Sequence, residues 1–377
     1  MGSVDWLVGK DWADTLEWLP GNLDAMLDES GVLQRRRAVR CGEELVRLGL
    51  AYSLLDLSLR STAAWWTSIG QPSMSDVAVL KRLKSATPFL EKVVYAMLSR
   101  ATPGPRLADA GLRVRLIDAT SISEPGSEGT DWRLHVCYDP ARAAIDHVEV
   151  TDVHGGKHLE RAAAQAGELI LGDRGYAGSE KIRALAAAGA HTLVRIGHSS
   201  VRLFDAAGEQ WDPLAFATRK RPAQGRPPRI EAKVVWLHGT QGPPLQARLV
   251  VVRKSRETAE HERDRIRTEA KRKGKEPGRR TLEAAAFTFL LTTVPQDRIT
   301  DEEVADLYRM RWQIELAFKR LKSLLNLDAL RAKDPALARS YLLGKLIAAL
   351  LIQCIADQCR AISPYGVPIR RQAQPVA

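Results

Sequence analysis

Apolar residues recur at helical spacing near the start of the chain, through Val32, Leu33, Val39, Leu45, Val46 and Leu48. Residues 1–105 are therefore expected to be helical, with Arg35, Arg36, Arg37 and Arg40 adding positive charge to one of the helices. A segment over 61–68 is followed by a break at Gly70-Gln71-Pro72. A second helix is then expected over 75–83, with Ser75 as its N-cap. Lys81, Arg82 and Lys84 lie on or just beyond it. Helix, turn and basic helix suit a helix-turn-helix reader of DNA. A plain helical bundle with a solvated basic face has the same pattern.

Thr102-Pro103-Gly104-Pro105 reads as a linker, and beyond it the period changes from helix to strand. Strands are expected over 113–118, 132–138 and 145–153, then a helix over 158–166. A short apolar strand at 169–171 runs into Gly172-Asp173. A helix over 179–188 and a strand over 191–196 follow. The order β-β-β-α-β-α-β predicts an α/β fold, a mixed sheet with helices on both faces. Ribonuclease H has this order, so an RNase H-like core is the expected fold.

Residues 197–286 break the regularity with Pro- and Gly-rich pieces flanking strands near 232–237 and 247–252. Residues 253–280 then carry 12 Lys or Arg against 6 Asp or Glu. The segment is expected to be a β-rich insertion ending in a basic helix or arm, although such a run is also how a solvated face looks. A strand returns over 287–294. Thr300 and Glu303 then fit a capping box ahead of one long helix reaching 325. The expected division is a helical DNA-binding region (1–105), a first core part (106–196), the insertion (197–286), a second core part (287–333) and a helical C-terminal region (334–377).

The formal net charge of +11 favours a polyanionic partner, nucleic acid before an acidic membrane surface. The four cysteines have no zinc spacing and read as reduced packing thiols. The N-terminal residues lack the apolar core of a signal peptide. The apolar run 341–354 is interrupted by Lys345 and reads as a core or dimer helix, too short to span a bilayer. A cytoplasmic, nucleoid-associated protein without membrane contact is the expectation.

The expected helix over 301–325 carries the most chemistry. At about 100° per residue, Tyr308, Arg311, Glu315 and Lys322 fall within an arc of roughly 60°. Leu307, Met310, Ile314, Ala317, Leu321 and Leu324 collect on the other side. Asp118 and Asp173 are each expected at the end of a strand, where a buried carboxylate is costly unless paired or metal-bound. A loop Asp capping a turn is the plain alternative for either one alone. Together with Glu315 they suggest a shared metal site. In-line attack on a phosphodiester needs an activated nucleophile and a stabilised leaving oxygen, and two divalent ions about 3.5–4 Å apart supply both. Hard cations take carboxylate oxygens as ligands. His154 and His158 are four apart, but Gly155-Gly156 argues against a shared helix face, so they read as surface or DNA-contact residues.

Over about residues 75–355 the sequence resembles the DDE transposases of bacterial insertion sequences. Asp118, Asp173 and Glu315 look like their acidic triad. Tyr308-x2-Arg311-x3-Glu315-x6-Lys322 is similar to the Tyr-Arg-Glu-Lys signature of the cut-and-paste group related to the Tn5 transposase. Gly172-Asp173-Arg174-Gly175-Tyr176 is a further shared segment.

The resemblance implies that Asp118, Asp173 and Glu315 bind two Mg²⁺ or Mn²⁺ ions. It implies phosphate contacts by Tyr308, Arg311 and Lys322, to which Arg174 is added as a DNA contact. It also implies a tryptophan that stacks on a flipped base, with Trp236 the first candidate and Trp211 the second. The implied partners are double-stranded DNA, as terminal inverted repeats and as target, and a second copy of the chain in the DNA complex. Strand cleavage and transfer, sometimes through a hairpin, is the implied reaction. An RNase H-like nuclease that cuts without joining, and a domesticated non-catalytic DNA-binding protein, are the competing readings.

Overall fold

A computed structural model describes residues 7, 9–55, 57–99, 111–127, 129–219, 229–328 and 330–362. The linker expected at 102–105 and the Pro-rich piece at 221–228 lie outside the described residues. Contacts group the chain into two units, one of residues 1–102, 122–131 and 320–377, the other of 103–121 and 132–319.

The first unit opens with α1 (Gly9–Leu16), α2 (Leu23–Ser30), α3 (Gly42–Leu54), α4 (Leu59–Ser68), α5 (Asp76–Ser85) and α6 (Thr87–Ser99). Arg35, Arg36, Arg37 and Arg40 precede α3 in irregular backbone and are not on a helix as expected. Arg40 is tied down locally, its backbone N–H and guanidinium both donating to Glu44. The Ser75 side chain caps α5 by accepting from Ala78 N. Such a cap contributes about 1 kcal/mol. Two of the three basic residues on α5 are engaged within the unit, Arg82 with the Arg35 carbonyl and Lys84 with Asp334.

The second unit is built on one ten-stranded sheet. In chain order come β1 (Arg113–Ile122), β2 (Trp132–Asp139), β3 (Ala144–Asp152), β4 (Glu168–Gly172), α7 (Ser179–Ala187) and β5 (His191–Ile196). The insertion supplies β6 (Leu203–Phe204), β7 (Gln210–Trp211), α8 (Pro213–Thr218), β8 (Ile230–Leu237), β9 (Leu245–Arg253), α9 (Arg256–Arg272) and α10 (Arg279–Ala284). Then follow β10 (Phe287–Thr292), α11 (Asp301–Arg309) and α12 (Trp312–Leu325). The strand order is β3-β2-β1-β4-β5-β10-β9-β8-β6-β7. β1, β4 and β5 run parallel, while β10 lies antiparallel between β5 and β9. The insertion therefore extends the main sheet, and β10 is the strand that joins it on. Its run Phe-Thr-Phe-Leu-Leu-Thr suits a strand with neighbours on both sides and both faces covered.

Three sequence expectations change here. The helix expected over 158–166 is one 3₁₀ turn, Leu159–Ala162, ended by Ala163 in the left-handed region at φ 45°. The strand bearing Asp118 runs on to Ile122, so Asp118 is inside it and not at its end. The long helix over 301–325 is two, α11 and α12, separated at Met310 and Arg311. There the amides of Met310, Arg311, Gln313 and Ile314 bond three residues back in place of four. That tightening needs neither Pro nor Gly. The charged stretch after β9 folds as α9, whose arginines pair along the helix with Glu260, Glu262 and Asp264.

β1 carries two arginines into the protein. Arg115 is 5% exposed and donates to Asp146 and Glu168 at 2.8–3.0 Å. Arg113 donates to Asp139, Asp146 and Glu168. This network ties β1 to β3, to β4 and to the end of β2.

The chain ends its described part in α13 (Pro335–Ile362), which packs on α3, α5 and α6 of the first unit. Close approach to α3 needs Gly344: a Cβ there would stand 2.2 Å from Ser53 Oγ. At 28 residues α13 is longer than the apolar run suggested, and by length and composition it could cross a bilayer. Most of its apolar stretch is buried, however, as in the core helix of a helical unit. Lys345, 1% exposed, is accommodated by donating to the Asn326 carbonyl at 2.6 Å.

Candidate active site

The parallel register of β1 and β4 brings the first two acids together. The last paired residues are Ile117 and Gly172. Asp118, still inside β1, and Asp173, the first residue past β4, come next, so they stand side by side at the carboxyl end of the parallel ladder. In open α/β sheets that is where ligands bind. Asp118 is 9% exposed, and its Oδ1 accepts from Ala119 N at 2.7 Å. Asp173 is half-buried, and its Oδ1 accepts from Gly175 N at 2.7 Å, capping the 3₁₀ turn Arg174–Tyr176.

Lys157 lies between them. Its Nζ donates to Asp118 Oδ1 at 2.8 Å and to Asp173 Oδ2 at 2.9 Å. Burial opposes the ammonium charge, yet the two carboxylates outweigh it and hold the lysine above its ordinary range. The ammonium also lies 5.3 Å from the centre of the fully buried Tyr176 ring. No sequence signal marked this residue, since an isolated lysine in a loop has no periodicity.

Glu315 is exposed on the first turn of α12 and accepts from Arg311 Nη2. Arg311 Nη1 is 3.8 Å from Asp118 Oδ2, so one guanidinium spans the first and third acids. Tyr308 lies at the end of α11 beside Arg311, and burial pushes its phenol up to about 12. The phenol therefore stays protonated at neutral pH. Two cations thus link three carboxylates into one cluster. Among the described residues, no three Asp, Glu, His or Cys side chains are close enough to hold one ion as they stand. The donor set is nonetheless all oxygen, with two carboxylates already gathered about one positive charge. That fits a hard divalent ion.

The remaining expected residues fall at different distances. Arg174 is exposed next to Asp173 and lies over Gly197, where a Cβ would come within 2.7 Å of its guanidinium. Lys322 is half-buried, seven residues beyond Glu315 on α12 and about two helical turns on. Trp236 is half-buried on β8, four strands from β4, which is about 19 Å by strand spacing. Trp211 is packed against Phe216 with ring centres 5.1 Å apart. Neither tryptophan is brought beside the acids. Trp312, which sequence reasoning passed over, directly follows Arg311 and is 49% exposed. His154 is exposed, and His158 begins the 3₁₀ turn Leu159–Ala162. Among the described residues, Cys41, Cys137 and Cys354 are not in a disulfide.

Residues 109–351 match the family described as Transposase DDE domain. The chain is 40% identical over 344 residues to the transposase of insertion sequence element IS421 from Escherichia coli, covering 89% of this chain and 91% of that one. It is equally similar, 40% over 343 residues, to the InsL protein of insertion sequence element IS186A from Escherichia coli K12, covering 89% and 90%. A solved piggyBac transposase synaptic complex with hairpin DNA aligns over 93% of this chain and 73% of its own, at 10% identity and a TM-score of 0.45. By the family match and the near full-length relatives, this chain belongs to the DDE transposases.

Proposed function

We propose that the chain is the transposase of an insertion sequence, cutting the DNA at its element's ends and joining the freed 3′-OH to target DNA at Asp118, Asp173 and Glu315. Members of this family work with divalent metal ions. Here Asp118 and Asp173 would hold one ion between them, and Glu315 would complete the ligand set for a pair of Mg²⁺ or Mn²⁺ ions. When bound, such ions lower the pKa of an attacking water and stabilise the charge of the leaving oxygen. The protein's own part is to hold three carboxylates at fixed places and to keep cations beside them. The observation that carries the reading is the β1–β4 register, which sets Asp118 and Asp173 one residue past the same paired level.

The finer assignment is to the cut-and-paste group with the Tyr308, Arg311, Glu315 and Lys322 signature. The place of Tyr308 beside Arg311 and the contact of Arg311 with Glu315 support it. The strand order β3-β2-β1-β4-β5 supports an RNase H-like core, with β10 and the insertion strands added at its open edge. Tyr308, Arg311 and Lys322 would engage backbone phosphates, the two cations by charge. Trp312, as the exposed indole beside Arg311, supports stacking on an unpaired base better than Trp236 or Trp211 does. Terminal inverted repeats are the proposed DNA ends, and a dimer pairing two of them is the proposed assembly.

A strand-transfer assay tests the function. A duplex carrying the element end with a 3′-OH is incubated with target plasmid and Mg²⁺, and joined products are counted. Joined products are expected. Nicks without joints would make the protein a nuclease, and binding without either would make it a DNA-binding protein that has lost catalysis.

A further inference from the structure

Lys157 sits on a loop that is built to aim it. The loop follows β3, and three successive carbonyls along it are each bonded by a cation from a different element. Arg133 on β2 donates to the Gly155 carbonyl at 2.6 Å. Arg161 in the 3₁₀ turn donates to the Gly156 carbonyl at 2.9 Å. Lys181 on α7 donates to the carbonyl of Lys157 itself at 2.6 Å. Charged donors make these hydrogen bonds stronger than neutral ones. The backbone is also closely packed, since a Cβ on Gly155 would lie 2.0 Å from Thr151 Oγ1. The lysine stem runs through a slot left by Gly175, where a Cβ would meet Lys157 Cδ at 2.8 Å, and its ammonium lies over the Tyr176 ring. An unconstrained lysine would spread over many rotamers, whereas backbone and stem here both confine this one to the gap between two carboxylates.

We propose that Lys157 is a resident cation of the Asp118–Asp173 pair, which holds the pair assembled before metal arrives and must be displaced by the first divalent ion. Two carboxylates converging without a cation repel one another, and the ammonium removes that repulsion. The same contact competes with metal, because the ammonium fills the gap between Oδ1 of Asp118 and Oδ2 of Asp173 in which an ion shared by the two carboxylates would sit. Lys157 is thus a positioning residue that sets the threshold metal concentration for loading the site. The proposal rests on the reading of Asp118 and Asp173 as metal ligands.

The test uses the full chain without DNA, with Mn²⁺ alone as the probe. Binding is read from loss of the free-ion paramagnetic resonance signal, and thermal unfolding is followed in EDTA and in Mn²⁺. Lys157→Met and Lys157→Gln are each expected to bind Mn²⁺ about tenfold more tightly than the wild type, the loss of one tethered competitor. Both are expected to melt lower in EDTA and to gain more on adding Mn²⁺. Lys157→Arg is expected to bring Mn²⁺ affinity back towards the wild-type value. A purely structural lysine would lower the melting temperature without tightening metal binding. Unchanged or weaker Mn²⁺ binding by a folded Met or Gln variant overturns the proposal. Asp173→Asn separates the two levels: if it leaves Mn²⁺ binding intact, the metal-site reading itself is wrong.

Discussion

Arg311 stands 3.8 Å from Asp118 through one guanidinium nitrogen and donates to Glu315 through the other. The two acids belong to a strand and a helix far apart in sequence, and this side chain links them. A 3₁₀ turn between α11 and α12 sets its position. Replacing Arg311 by Ala is expected to slow single-turnover cleavage by about 10²-fold or more, the usual cost of losing one charged donor at a reacting centre. Lysine should restore only part of the rate, because it lacks the planar two-pronged geometry. Wild-type cleavage by Arg311→Ala would remove the residue from the site.

Lys322 is proposed to contact a DNA phosphate. Lys322→Ala is expected to weaken DNA binding and to reduce the slope of log affinity against log salt by about one. Binding isotherms over a salt series measure this. An unchanged slope would place Lys322 away from the backbone.

The ion network under β1 is structural. Arg115→Met leaves Asp146 and Glu168 buried with less compensating charge. A loss of about 3–5 kcal/mol is expected, as for breaking a buried pair. Urea unfolding of the two proteins checks it through the midpoint at constant slope. A shift under 1 kcal/mol would show that the remaining Arg113 contacts suffice.

Stability should fall as pH falls from about 6.5 towards 4. His135 is 1% exposed, and burial, aided by the nearby arginines, lowers its pKa to about 4. His147, His191 and His198 are lowered as well, burial being the largest cause in each. Between these values and the ordinary 6.5, the unfolded chain binds more protons than the folded one, so acid favours unfolding. The His135 part alone is on the order of 3 kcal/mol by pH 4. Melting curves between pH 7 and 5 should show the decline, and His135→Gln should flatten it. A flat profile in the wild type would contradict the burial argument.

Much of the fold could be read from local pattern. β5 begins and ends where its apolar alternation does, and Ser75 and the Thr300–Glu303 capping box act as their side chains allow. Asp173 was legible because it follows an apolar strand, and Asp118 because the alternation through Val114 and Leu116 leads to it, although its strand runs on to Ile122. Their adjacency was not, since it depends on the register of two strands distant in the chain. Lys157 was illegible for a similar reason: cations on β2, on α7 and in the 3₁₀ turn hold its loop, and none is near it in pattern. The break at Met310 and Arg311 has no Pro or Gly to announce it. The place of β10 between β5 and β9 is likewise a long-range pairing, so the insertion read as separate when its strands continue the main sheet.

Asp118, Asp173 and Glu315 are proposed to form one metal-dependent site. Cleavage of an element-end duplex in Mg²⁺ should be compared across Asp118→Asn, Asp173→Asn and Glu315→Gln, with DNA affinity measured in parallel. Each variant is expected to bind DNA about as well as the wild type and to cleave at least about 10³-fold more slowly. A variant that still cleaves at close to the wild-type rate would remove that acid from the reaction, and retained cleavage by all three would show that the chemistry is done elsewhere.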